Sequence, residues 1–156
     1  MIRIVLIALF LLIYAIISIP LYLVEFIVGK INPEAKTKSS QWIVCKAFRF
    51  IIFLAGAKLT VKGLENVPKD VPVLYASNHR SYFDIVIGYT LSKNNTGFVA
   101  KKEMEKIPCI SRWMRYLNCQ FLDRDDIKAG LKTILKCIEL IKSGSSIFIF
   151  PEGTRT

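Results

Sequence analysis

At 156 residues the chain has room for one ordinary domain and an anchor, which excludes two full domains. Its hydrophobic share is 53% and its mean hydropathy +0.41, above the range of an ordinary soluble protein. The formal charge of +10, from 22 Lys and Arg against 12 Asp and Glu, calls for an anionic partner. Four cysteines without a Cys-x-x-Cys pair, and a single histidine, exclude a zinc cluster and read as small apolar side chains in a reducing compartment.

The first predicted element is a helix built on the run from Ile4 to Val24, which carries no charge. As a helix it would span about 30 Å, roughly the hydrocarbon thickness of a bilayer. A cleaved signal peptide would need a shorter apolar core and a small-x-small site, whereas here the run continues through Pro20 to Leu23 into Glu25. Only Arg3 precedes the run, while Lys30, Lys36, Lys38, Lys46 and Arg49 follow it, an asymmetry that places the C-terminal side in the cytoplasm. With such an anchor, anionic lipid is a simpler partner for the positive charge than nucleic acid.

A polar link is expected from Lys30 to Ser40, punctuated by Pro33. The next apolar segment, Trp42 to Ala57, is interrupted by Lys46 and Arg49 and is too short for an independent span. It reads as an interfacial helix that pairs with the first as a hairpin, or as a helix packed on the domain that follows.

From Lys58 the texture turns to α/β. A turn is expected at Asn66-Val67-Pro68, then a strand at 71–76, a short helix at 84–91 and a buried strand at 97–100. Phe121-Leu122 suggests a third strand. Ile127, Leu131, Ile134, Leu135, Ile138 and Ile141 recur at helical spacing opposite Lys128, Lys132 and Lys136, with Asp125 and Asp126 at the start and Gly144 at the end. A last strand at 147–150 runs into Pro151-Glu152-Gly153-Thr154-Arg155. This alternation predicts a mostly parallel sheet flanked by helices. Polar clusters at 77–84 and 151–155 directly follow strands, where such sheets gather their functional loops.

His79 is the only histidine, and imidazole is the side chain best suited to take a proton near neutral pH. Asp84 could orient that ring. Five residues along one helix would set the two about 140° apart, so contact requires a turn between them. Gly153 allows backbone to approach a ligand, and Arg124 and Arg155 offer planar forks suited to phosphate oxygens.

Together these residues resemble a known family. Asn78-His79-Arg80-Ser81-Tyr82-Phe83-Asp84 is similar to the His-x4-Asp block of the glycerolipid acyltransferases. Phe150 to Arg155 resembles their Phe-Pro-Glu-Gly-Thr-Arg block, and Phe121-Leu122-Asp123-Arg124 their intervening arginine block. The resemblance runs from Lys58 to the last residue and is strongest to the 1-acylglycerol-3-phosphate acyltransferases. It implies that 58–156 is an acyltransferase α/β domain cut short at its C-terminus, while the apolar runs before it make 1–57 a membrane-anchoring helical segment. It implies His79 as base toward the sn-2 hydroxyl of lysophosphatidic acid, with Asp84 holding the ring. Attack on the thioester of acyl-CoA or acyl-carrier protein would be direct, without an acyl-enzyme on Ser81 or Cys109. Arg124, Glu152, Gly153, Thr154 and Arg155 would bind the acceptor's phosphate. No metal or redox cofactor is implied, and the active site is expected on the cytoplasmic side of a membrane.

Two departures stand out. Asn118 occupies a position where the family's arginine block usually has glycine, which leaves the loop before Phe121 undetermined. The chain also stops just after its last block, where the family normally continues, so it reads as the N-terminal part of a longer enzyme whose own activity is open. Two other readings compete: an acyltransferase for another lysolipid, and a non-catalytic membrane-binding module. The second explains charge and anchor but not the co-occurrence of the blocks.

Overall fold

The computed structural model describes residues 1–154. Helix α1 spans Ile2–Ile31 and α2 spans Pro33–Ala55, so the link expected between them shrinks to one residue. Asn32 does both jobs at the turn. Its N–H donates to the Val28 carbonyl at 2.7 Å, closing α1, and its Oδ1 accepts from the Ala35 N–H at 2.9 Å, opening α2. Pro33 then sits in the first turn, where its missing N–H costs nothing. The polar stretch read as a link is therefore helical. The local signal was a cap and an N-terminal proline, rather than a break.

The two helices form an antiparallel hairpin. Arg3 donates to the Ala55 carbonyl at 3.0 Å, and the Phe10 and Phe50 rings lie 4.9 Å apart. Further along, the buried Glu25 carboxylate accepts from the Ser39 and Ser40 hydroxyls at 2.9 and 3.0 Å, which offsets part of its desolvation. The hairpin also docks on the rest of the chain. Gln41 donates to the Asn94 carbonyl at 2.8 Å and accepts from the Thr96 N–H at 2.7 Å, while the Trp113 indole donates to Ser18 at 2.9 Å. So α2 is both the second arm of the hairpin and a helix packed on the domain. The outer side of α1 stays open: Ile4, Leu12, Ile16 and Leu23 are 60% to 72% exposed. By length and composition α1 is the one helix among the described residues able to cross a membrane.

Four strands follow, β1 (Leu74–Ala76), β2 (Thr96–Lys101), β3 (Gln120–Leu122) and β4 (Ser146–Ile149). They form an all-parallel sheet in the order β1-β4-β2-β3, with Ala76 opposite Ile149, Phe98 opposite Phe148 and Val99 opposite Gln120. The connections carry α3 (Phe83–Leu91), α4 (Ile110–Tyr116) and α5 (Ile127–Lys142). The expected α/β class and parallel sheet are thus present. Helix α4 was not foreseen, because seven residues are too few to display a period. Parallel strands buried on both faces need apolar side chains throughout. Ile147 is fully buried on one face, and on the other Tyr89, Phe98 and Phe148 pack in series, with the Phe98 and Phe148 rings 4.5 Å apart.

Two local outcomes differ from the sequence reading or complete it. The apolar stripe of α5 does not face the sheet: Ile127, Leu131, Ile134, Leu135 and Ile138 are 44% to 87% exposed. Smaller residues make the contact. Thr133 donates to the Phe121 carbonyl at 3.3 Å, Cys137 is buried, and a Cβ on Gly130 would come within 3.3 Å of the Asp123 carbonyl. Asn118, the residue in place of a family glycine, has a φ of 58°, a left-handed conformation that Asn tolerates better than other non-glycine residues. Its carbonyl would lie 2.5 Å from a Cβ on Gly97 in the neighbouring strand. Gly97→Ala is therefore expected to destabilise the fold by about 1–3 kcal/mol, read as a lower midpoint in thermal unfolding.

Candidate active site

Every strand of a parallel sheet points the same way, so the loops after β1, β2, β3 and β4 emerge at one end. The site grows from two of them. The Ser77 N–H donates to the Ile149 carbonyl at 3.2 Å, extending the β1–β4 pairing by one bond. This brings the residues after β1 alongside those after β4. The His79 ring consequently lies on the Phe150 ring, with centroids 4.2 Å apart and planes 18° from parallel.

The chain then turns into α3, and Asp84 falls in its first turn. His79 and Asp84 meet, Nδ1 to Oδ2, at 3.0 Å, with side chains 16% and 26% exposed. The intervening turn is tied by Asp84 itself. The same Oδ2 accepts from the Arg80 N–H at 2.6 Å and the Ser81 N–H at 2.8 Å, and the Ser81 hydroxyl accepts from the Phe83 N–H at 2.8 Å. Burial works to raise the Asp84 pKa, but the hydrogen bonds from Ser81, His79 and Arg80 outweigh it and hold the carboxyl below the usual carboxylate range. An anionic Asp84 fixes the imidazole with its proton on Nδ1. That leaves Nε2 as the nitrogen able to accept a proton.

The second cluster joins the loops after β3 and β4. Gly153 has a φ of 70°, and a Cβ there would lie 3.2 Å from the Arg124 guanidinium. Arg124 thus reaches past the end of β2 to rest on the Gly153 backbone. Its loop is braced by an ion pair between Lys102, just after β2, and Asp123. That pair, with a further N–H donation from Asp125, holds the Asp123 carboxyl low. Glu152 and Thr154 are exposed in the same loop, and Arg155 lies outside the described residues. Among the sequence-predicted residues, His79 joins Asp84 and Arg124 joins Gly153. Phe150 and Lys102 were missed as participants: a ring shelf and a loop brace are tertiary relations that spacing does not display. Gly153→Ala is expected to displace Arg124 and strain the loop, destabilising the fold by roughly 1–2 kcal/mol, read as a lower midpoint in thermal unfolding.

The chain is similar to several known proteins. A family model described as Acyltransferase matches residues 58–156. The chain is 39% identical over 100 residues to a chloroplastic 1-acyl-sn-glycerol-3-phosphate acyltransferase of Arabidopsis thaliana, covering 64% of this chain and 28% of that protein. It is 33% identical over 105 residues to the 1-acyl-sn-glycerol-3-phosphate acyltransferase of Borreliella burgdorferi, covering 67% of this chain and 42% of that one. The crystal structure of the 1-acyl-sn-glycerophosphate (LPA) acyltransferase from Thermotoga maritima superposes with a TM-score of 0.78 at 28% identity, over 99% of this chain and 63% of that one. This chain therefore spans less than half of those curated relatives and just under two thirds of the solved structure. A family match that takes in the His79–Asp84 turn and the loops of Arg124 and Gly153 makes the assignment plain: the chain belongs to the acyltransferase family.

Proposed function

We propose that the protein carrying this chain transfers a fatty acyl group from acyl-CoA or acyl-carrier protein to the sn-2 hydroxyl of lysophosphatidic acid, producing phosphatidic acid for phospholipid synthesis. The observation that carries this reading is the hold on His79: Asp84 at 3.0 Å on Nδ1, the Phe150 ring against its face, and Nε2 left over. In the reaction, Nε2 takes the hydroxyl proton as the oxygen attacks the thioester carbonyl. The tetrahedral intermediate collapses, the C–S bond breaks, and the imidazolium returns the proton to the leaving thiolate. Asp84 stabilises the transient positive charge.

Two other groups are already engaged, which favours direct transfer over an acyl-enzyme. The Ser81 hydroxyl accepts from Phe83, and the Cys109 sulfur and carbonyl receive the Tyr22 hydroxyl at 3.0 and 2.8 Å. Arg124, resting on Gly153, is the cation that would meet the acceptor's phosphate, and the resemblance adds Glu152, Thr154 and Arg155 to it as binding residues. Holding the phosphate fixes which hydroxyl faces His79. Helix α1 anchors the protein in the bilayer, and the excess of Lys and Arg after it sets the active site on the cytoplasmic side.

Labelled acyl-CoA offered to the full protein with lysophosphatidic acid, lysophosphatidylcholine and a lyso-ornithine lipid in competition tests this reading. Label is expected in phosphatidic acid. Preferential labelling of another lysolipid would keep the chemistry and overturn the acceptor; no labelled product with any acceptor, from acyl-CoA or from labelled acyl-carrier protein in a parallel assay, would favour a non-catalytic membrane module.

A further inference from the structure

A groove of about 440 Å³ runs between α1 and α4, and none of its lining residues belongs to the loops of His79, Arg124 or Gly153. One wall is hydrocarbon: Ile19, Leu23 and Phe26 of α1 are 68%, 62% and 55% exposed. The other wall carries Arg112 and Arg115. Arg112 stands 5.0 Å over the Tyr22 ring and has no ion-pair partner among the described residues. Arg115 is paired with Glu105 at 2.9 Å. Two more cations border the groove, Lys36 at 4.7 Å over the Tyr116 ring and Lys30 at 5.4 Å over the Phe26 ring. The nearby Glu25 carboxylate is turned to α2, where Ser39 and Ser40 hold it. Four cations thus surround an apolar trough with Glu105 as the one carboxylate paired to any of them.

We propose that this groove is a binding site for one anionic phospholipid, its phosphate against Arg112 and an acyl chain along Ile19, Leu23 and Phe26. The occupant follows from the two walls together. A free anion answers Arg112 but makes no contact with the three large apolar side chains of the facing wall. An uncharged apolar molecule leaves the Arg112 charge unanswered. The apolar wall is continuous with the exposed side of α1, so a bilayer lipid reaches it without leaving its leaflet. Aromatic rings under the cations are the arrangement expected at a headgroup boundary. The site goes beyond the acyl-transfer reading, and its occupancy does not depend on turnover.

The test uses the full protein in detergent, mixed with equal amounts of phosphatidylglycerol and phosphatidylcholine, with retained lipid counted by native mass spectrometry. One phosphatidylglycerol per protein is expected, preferred over phosphatidylcholine by about fivefold or more, since a juxtamembrane Arg contributes roughly that factor. Arg112→Ala should abolish the preference and Arg112→Lys should keep most of it, which separates loss of charge from misfolding. Leu23→Ser should weaken retention of both lipids, while Lys46→Ala, which lies over Trp42 and outside the groove, should change nothing. An unchanged preference in Arg112→Ala overturns the site, as does equal loss in Lys46→Ala, which would mean diffuse charge. Displacement of the lipid by inorganic phosphate, with Leu23→Ser without effect, would assign Arg112 to a free anion instead. Binding of an acidic carrier protein through Arg112, with no lipid preference, would also overturn it.

Discussion

His79→Ala is expected to lower acyl transfer to lysophosphatidic acid in the full protein by about 10³-fold or more, with KM for either substrate changed by no more than about threefold. Under the proposed mechanism the ring, held by Asp84 at one nitrogen and by Phe150 on one face, moves a proton rather than binding substrate. His79→Gln preserves most of the volume on Phe150 but offers no basic nitrogen, and should be as inactive as the alanine variant. Initial rates under single-turnover conditions check this. Turnover near the wild-type level in either variant would sink the mechanism.

Asp84→Asn is the second large effect, with two readouts. Its Oδ2 gathers three donors, from His79, Arg80 and Ser81. An amide oxygen is a weaker acceptor for all three and does not stabilise an imidazolium, so kcat should fall by about 10²- to 10⁴-fold. Stability should change in a pH-dependent way. The folded carboxyl titrates below the unfolded one, so its contribution is fully present above the usual carboxylate range and is lost as pH falls through the folded value. Wild type should therefore be more stable than Asp84→Asn at neutral pH, and the difference should shrink on acidification below about pH 4. Unfolding midpoints at several pH values measure it. A difference that grows on acidification would contradict the hydrogen-bond account of Asp84.

Much of the fold was legible because its signals are local. The strand at 97–100 and the helix from Ile127 appear within a residue or two of their expected bounds, and Asp126 caps that helix as its position suggested, accepting from the Ala129 N–H at 3.0 Å. The hairpin was harder. Charges at Lys30, Lys36 and Lys38 read as a link, yet they ride on continuous helices, since one Asn and one Pro suffice to reverse the chain. The stripe on α5 is the reverse case: its period was visible, but a period names a face and not what the face meets. Three-dimensional packing put Gly130, Thr133 and Cys137 against the sheet instead.

The candidate site divides along the same line. Residue type and spacing marked His79, Asp84, Arg124 and Gly153 as candidates, since proton transfer needs an imidazole and a carboxylate and phosphate recognition a guanidinium, and the resemblance of their blocks to the family gave them roles. A turn between His79 and Asp84 also followed from the helical period, since five residues on one helix cannot bring two side chains together. What tertiary structure decided was the order of the strands. By inserting β4 between β1 and β2, the sheet sets Phe150 under His79 and lets Arg124 arrive over Gly153. Strand order arises from how crossover helices pack across the sheet, over dozens of residues, and no local pattern in the chain encodes it.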